Sequence, residues 1–178
     1  CVDVKPEDLG NPFPRNLPFD RDVSKDAFCK SLEKILFKAA EYEVDFCIEN
    51  NVAASFNMSD TGHNPFLCSD PVEIVEIIRN MNSDRLYLLL DTGHLKVSSK
   101  TLGFQLSEAC IKLKECTKII HHSDNDAEAD TNRKLSSDYW FLAHAELFSD
   151  IYHILEVKSL SIKEIFSQLN LLRSNGVI

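Results

Sequence analysis

Four ionisable side chains come at or near the ends of four short apolar segments of the chain. They are Glu49, Asp91, His121 and Glu156. The spacing between neighbours, 30 to 42 residues, matches one strand followed by one helix. Since successive parallel strands end at the same edge of a sheet, we expect three carboxylates and one imidazole to converge there. Such concentrated negative charge favours one bound divalent cation, with Mn²⁺, Mg²⁺, Co²⁺ or Zn²⁺ as the candidates.

Each of these residues also has an ordinary structural interpretation. A Glu or Asp at the end of a strand often serves as the cap of the following helix. The functional interpretation therefore depends on the set, because four such residues in consecutive units are much harder to attribute to chance than any one of them.

The elements that must position these side chains alternate in type along the sequence. Helices are predicted over 24–42 with Ser24 as the cap, from a cap at Asp70, over 105–115, over 141–147, and after a capping box at Ser161 and Glu164. Strands are predicted over 44–49, 86–91, 118–121 and 152–157, and long loops over 50–69 and 123–137. This alternation is typical of α/β proteins in which right-handed crossovers join parallel strands. Without a linker or repeat that divides it, the chain is predicted to form a single domain over residues 1–178.

Composition limits the classes of partner. The chain has 178 residues, a formal net charge of −9 and a pI near 5.1, so nucleic acid is not an expected partner. A membrane is not expected either, since no apolar run approaches the roughly 20 residues that span a bilayer. The six cysteines show no CxxC spacing, which favours reduced thiols and a cytoplasmic location. A small polar molecule remains the expected partner, and a homo-oligomer stays possible.

Four short segments resemble the xylose-isomerase-like sugar (phosphate) isomerases and epimerases, to which the apurinic-site endonucleases are related. The segments are Ile48-Glu49-Asn50, Asp91-Thr92-Gly93-His94-Leu95, Ile120-His121-His122-Ser123-Asp124-Asn125 and Leu155-Glu156-Val157. The resemblance implies a parallel (β/α) TIM barrel, of which this chain is expected to supply the C-terminal part, about strands 4 to 8. By the same analogy residues 1–4 would form the fourth strand, and the first three βα units would lie outside this sequence.

The resemblance also implies roles for individual residues. Glu49, Asp91, His121 and Glu156 would hold one divalent metal ion, with His121 preferred over His122 because the ligand precedes Asp124 by three residues. Glu49 and Glu156 would act as the catalytic acid and base, moving a proton through an enediolate. Residues expected to contact a sugar or sugar phosphate are His94, Asp124, Asp130 and Arg133. His94 could alternatively complete the metal shell.

Two alternatives to a sugar isomerase stay open, and departures from the family pattern bear on them. Asn132 stands where relatives carry a His, which argues against a trinuclear zinc centre. The glycines of a phosphate loop are absent, which argues against phosphate binding at that spot. The first alternative is an abasic-site endonuclease, which the acidic charge also opposes. The second is a catalytically degenerate barrel that acts as a binding or accessory protein. Trp140 is expected to be core rather than a wall of the sugar site.

Overall fold

A four-stranded, wholly parallel sheet organises the part of the chain that the structure describes. The computed structural model describes residues 20–178, so the strand predicted for residues 1–4 lies outside the described residues. The strands are β1 (Phe46–Glu49), β2 (Leu86–Asp91), β3 (Thr117–His122) and β4 (Tyr152–Leu155), and they lie in the order β1-β2-β3-β4. Because spatial order follows chain order and every pair is parallel, the sheet has the topology of part of a barrel.

Within residues 20–178, five α-helices precede, connect or follow these strands. They are α1 (Arg21–Glu41), α2 (Pro71–Met81), α3 (Thr92–Leu102), α4 (Leu106–Leu113) and α5 (Ile162–Ser174). Short 3₁₀ segments cover Ser55–Asn57, Lys114–Cys116 and Trp140–Phe148. The predicted alternation of strands and helices is confirmed. In the described part of the chain, no helix is both long enough and apolar enough to cross a bilayer.

Two of the three predicted helix-capping residues are confirmed. The Asp70 side chain accepts hydrogen bonds from the backbone of Val72 and Glu73, and Ser161 forms the capping box with Glu164. The prediction of Ser24 as a cap was wrong. Asp20 caps α1 instead, accepting from the Val23 amide at 3.0 Å, so the helix begins four residues earlier.

Helix α3 was not predicted. It starts directly after β2, because the Asp91 carboxylate that ends the strand also accepts a hydrogen bond from the His94 amide and so caps the helix. Gly93 and a run of polar and β-branched residues give this segment little intrinsic helix preference. The cap and the packing of Leu95 and Val97, both fully buried, make it helical.

The core lies between the sheet and its helices. Leu88 and Leu90 of β2, Ile74 and Ile77 of α2, and Leu113 of α4 are fully buried, as their helical or strand spacing predicts. The cysteines at positions 29, 47, 68, 110 and 116 are free thiols, in agreement with the predicted absence of a disulfide framework in this part of the chain.

Ile162, Ile165, Phe166 and Leu169 recur at helical spacing on one side of α5, which predicts that this side packs against the core, and the prediction was wrong. Ile162 and Phe166 are 75% and 59% exposed, whereas the helix buries Gln168 and Leu172. The Gln168 amide fixes this orientation because it bonds both backbone groups of Leu135, at 2.5 Å and 3.2 Å. A polar residue that satisfies two buried backbone groups therefore determines which side of the helix lies inward.

Candidate metal centre

The four predicted ligands converge at the carboxyl edge of the sheet. Glu49, Asp91, His121 and Glu156 each offer one ligand atom, and these atoms all lie within 4.8 Å of one another. The closest contact joins His121 Nδ1 to Glu156 Oε2 at 2.6 Å. Three carboxylates and one imidazole around a single point form a donor set that suits a divalent cation.

The strand ends account for this convergence. Glu49 and Asp91 are the last residues of β1 and β2, and Glu156 comes one residue after β4. His121 pairs with Asp91 in the register of β2 and β3, so the two side chains leave adjacent strands at the same level. Since strand side chains alternate between faces, His122 points away from this centre and packs against Tyr139 instead.

Asp91 is the buried member of the set. Its side chain is fully buried, and Oδ1 accepts a hydrogen bond from the His94 amide at 2.7 Å. Among residues 20–178, Oδ2 has no hydrogen-bond partner. Burial, opposed by His94 but reinforced by Asp130 and Glu156, raises the pKa of Asp91 to about 6. A buried carboxylate oxygen without a partner is what a metal-binding position requires, so the residues fit a divalent cation.

Asn50 fixes the position of Asp91. Its side-chain oxygen accepts from the Asp91 amide at 2.6 Å, and its side-chain nitrogen donates to the Asp91 carbonyl at 3.0 Å. The two bonds tie the end of β1 to the end of β2. The sequence analysis noted Asn50 only as part of the Ile48-Glu49-Asn50 segment and assigned it no role, although a polar residue directly after Glu49, before the chain turns, was an available signal.

His94 and Asp130 lie beside the centre as a charged pair. His94 Nε2 is 3.5 Å from Asp130 Oδ2, and Nδ1 is 3.5 Å from Glu49 Oε1 and 2.8 Å from the Asn50 carbonyl. Burial alone would lower the pKa of His94, but Asp130, Asp91 and the Asn50 carbonyl outweigh it and raise the pKa to about 9. Burial likewise opposes ionisation of Asp130, yet His94 holds the pKa of that carboxyl below its usual value.

The other two residues predicted to contact substrate have protein partners. Asp124 Oδ1 is 2.6 Å from Lys96 Nζ, and Arg133 donates to Asp126 at 2.7 Å. Their backbones pair with each other, which places Asp124 and Arg133 on one short antiparallel bridge. The structure therefore brings His94 and Asp130 next to the four-residue centre, and it directs the Asp124 and Arg133 side chains into ion pairs of their own.

Gly93, at the start of α3, packs tightly against the loop that follows β3. A Cβ atom at this position would lie 2.4 Å from Ser123 Oγ, 3.1 Å from Asn125 Nδ2 and 3.2 Å from Asp91 Oδ1. Only glycine lets α3 begin this close to the loop after β3. The Gly of the Asp-x-Gly-His segment is therefore explained by packing between two strand ends.

A cavity of about 580 Å³ opens beside the centre. Glu49, Asn50 and His94 line one part of it, and Phe28 and Phe66 line another. Cavities of this size, with apolar walls and a few polar groups, are typical of small-molecule sites.

Comparison with known proteins agrees with this arrangement. A family model described as xylose isomerase-like TIM barrel matches residues 8–157. The chain belongs to the xylose isomerase-like TIM barrel family. No curated protein matches the sequence.

Two solved structures have a fold similar to that of this chain. A D-tagatose 3-epimerase-like protein superposes with a TM-score of 0.67 at 18% identity, over 85% of this chain and 54% of that one. The apo form of 3-keto-D-glucoside 4-epimerase, YcjR, from E. coli superposes with a TM-score of 0.66 at 13% identity, over 93% of this chain and 60% of that one. The chain thus spans between half and two thirds of these structures, and the shared feature is the fold.

Proposed function

We propose that the chain supplies the catalytic centre of a divalent-cation-dependent isomerase or epimerase of a sugar or sugar phosphate. One observation carries the proposal: four donor atoms from four strand ends lie within 4.8 Å of one another, around an Asp91 oxygen that has no protein partner in residues 20–178. Glu49, Asp91, His121 and Glu156 would hold the ion. A divalent cation in this position supplies polarisation of a substrate carbonyl and stabilises the charge that develops when the neighbouring carbon is deprotonated.

The two glutamates are the groups that move protons. Glu49 and Glu156 side chains are 42% and 45% exposed, so both remain accessible to a ligand in the opening. Glu49 ends the first strand and Glu156 follows the last strand of the described sheet, an order that supports their acting from opposite sides of a bound substrate. One carboxylate removes a proton from the carbon beside the carbonyl, and the other returns a proton to the resulting enediolate.

His94 and Asp130 orient the substrate. The His94 imidazolium, held protonated by Asp130, borders the 580 Å³ cavity and can donate to a hydroxyl or carbonyl oxygen. The apolar rings of Phe28 and Phe66 face the same space and suit the C–H face of a sugar. Asp124 and Arg133 remain candidates for contacts with more distant substituents, for which Arg133 would have to leave Asp126.

The comparisons support the substrate class. Both solved structures are named as sugar epimerases or epimerase-like proteins, although identities of 13% and 18% carry the fold rather than the reaction. The alternative of an abasic-site endonuclease has less support, because Asn132 offers no imidazole beside Asp130 and the chain carries a net charge of −9.

Solvent deuterium exchange tests the proposed reaction directly. The intact protein, loaded with Mn²⁺, is incubated in D₂O with a panel of free ketoses and ketose phosphates, and carbon-bound deuterium is measured by NMR. We expect enzyme-dependent incorporation beside the carbonyl of at least one sugar, abolished by chelation and by Glu49→Gln. Absence of exchange across the panel, together with metal-dependent cleavage of an abasic duplex, would contradict the proposal in favour of the nuclease.

A further inference from the structure

The threonine of the Asp-x-Gly-His segment carries a hydroxyl that contacts the end of the neighbouring strand β3. Thr92 is fully buried, and its Oγ1 lies 3.0 Å from the His121 carbonyl and 3.1 Å from the Ser123 carbonyl, to which it donates. The same oxygen accepts from the Ser123 amide at 3.3 Å and from the Tyr139 hydroxyl at 2.6 Å. One side chain therefore satisfies backbone groups on both sides of His122.

We propose that Thr92 and Tyr139 are positioning residues that hold His121 against Asp91 for cation binding. The inference rests on the cation centre proposed above and assigns roles to two residues outside it. Thr92 follows Asp91 directly, and its hydroxyl bonds the backbone of His121, the register partner of Asp91. This hydrogen bond, from the residue after Asp91 to the carbonyl of His121, fixes the separation between the ends of β2 and β3.

Tyr139 supports Thr92 from the helix side of the sheet. Its ring is 2% exposed, and burial raises the pKa of its hydroxyl well above the usual value, so the group keeps the hydrogen it donates to Thr92. Thr92 then directs its own hydrogen to the carbonyls of His121 and Ser123. The Tyr139 hydroxyl thus donates to Thr92, and the Thr92 hydroxyl donates to the backbone carbonyl of His121, a proposed ligand.

The network continues to the fourth strand. His122 Nδ1 lies 3.1 Å from the Tyr139 hydroxyl, and His122 Nε2 lies 2.9 Å from His153 Nδ1. His122 is fully buried, so its contacts are with protein groups. The polar chain therefore spans β2, β3 and β4, the three strands that carry or precede Asp91, His121 and Glu156.

Loss of the Thr92 hydroxyl should affect metal affinity more than folding. Thr92→Val keeps the branched shape but leaves the His121 carbonyl, the Ser123 amide and the Tyr139 hydroxyl without this partner. The ends of β2 and β3 are then free to separate, and partners that orient metal ligands typically contribute about 10- to 100-fold in affinity. Thr92→Ser keeps the hydroxyl and should retain most of that affinity.

A Co²⁺ titration of the metal-free intact protein tests this inference, with the visible d–d absorption as the readout. We expect Thr92→Val to weaken Co²⁺ binding about tenfold or more and to alter the absorption band, while Thr92→Ser stays close to the wild type. Tyr139→Phe should fall between them. The matched control is Thr117→Val, which removes another buried hydroxyl that donates to a backbone carbonyl, that of Leu113 at 2.9 Å, at the opposite end of β3.

Urea unfolding of the metal-free variants separates positioning from general stability. Both Thr92→Val and Thr117→Val should lower the unfolding midpoint, Thr92→Val the more because its hydroxyl has more partners, but only Thr92→Val should lose Co²⁺ affinity. Wild-type affinity in Thr92→Val, or an equal loss in Thr117→Val, would overturn the positioning role while leaving the cation centre intact. Absence of Co²⁺ binding by the wild type would overturn both.

Discussion

Asp91 and His121 are direct partners in the register of the parallel strands β2 and β3. This pairing places a buried carboxylate and an imidazole side by side at the edge where Glu49 and Glu156 also lie. A slip of one residue in β3 would present the neutral, buried His122 to the centre instead, because strand side chains alternate in direction. The register of one strand pair thus determines which histidine can serve the proposed reaction.

Glu156→Gln should abolish proton transfer without unfolding the protein. The amide keeps the size of the side chain and can still bond His121, but it cannot accept a proton from carbon. We expect kcat to fall by about 10²- to 10⁴-fold, measured as sugar interconversion by the intact protein, with an unchanged thermal midpoint. Glu146→Gln, at an exposed position, is the matched control and should keep full activity. Retained turnover in Glu156→Gln would assign the acid–base role elsewhere.

Gly93→Ala should destabilise the protein next to the proposed metal centre. The new methyl group would lie 2.4 Å from Ser123 Oγ, and overpacking of this kind costs about 1–3 kcal/mol in unfolding free energy. The double variant Gly93→Ala/Ser123→Ala removes the opposing oxygen, which has no hydrogen-bond partner in residues 20–178, and should recover much of the loss. Chemical denaturation of the three proteins checks this expectation. An unchanged stability in the single variant would show that the backbone shifts freely here.

The His94–Asp130 pair should make the stability of the metal-free protein depend on pH. The pKa of His94 is raised to about 9, from 6.5 for a histidine in the unfolded chain. The stability that the protonated imidazole contributes is therefore fully present below pH 6.5 and is lost as the pH rises through about 9. In the presence of a chelator, Asp130→Asn should lower the unfolding free energy by on the order of 1 kcal/mol near pH 6.5. The difference should shrink towards zero near pH 10. A difference that stays constant across this range would exclude the charged pair.

The alternation of elements and the four-residue centre could be predicted from sequence because each rests on a local signal. Apolar runs ending in Glu49, Asp91 and Glu156 identify strand ends, and parallel topology then brings them together whatever the details of packing. Strand alternation required that only one of His121 and His122 face the centre, and the family resemblance indicated that it is His121. The caps at Asp70 and Ser161 were equally local, since a side chain two or three residues away decides them.

The features that could not be predicted, which are a helix, a helix orientation and two side-chain roles, depend on contacts between distant segments. Helix α3 forms because Asp91 both ends a strand and caps a helix, a double role that residue preferences do not reveal. The orientation of α5 is set by Gln168 bonding Leu135 across 33 residues, which overrides its apolar pattern. Asn50 and Thr92 have ordinary polar side chains in the sequence, and only the neighbouring strand ends show what they bind.

The bound-metal content of the intact protein tests the central claim most directly. The protein is loaded with Mn²⁺, desalted and analysed by mass spectrometry of the metal, beside Asp91→Asn and the exposed control Asp150→Asn. Asn at position 91 can still cap α3 but supplies no buried carboxylate charge. We predict about one equivalent of Mn²⁺ in the wild type and in Asp150→Asn, and none in Asp91→Asn. No bound metal in the wild type, or equal content in Asp91→Asn, would contradict the account.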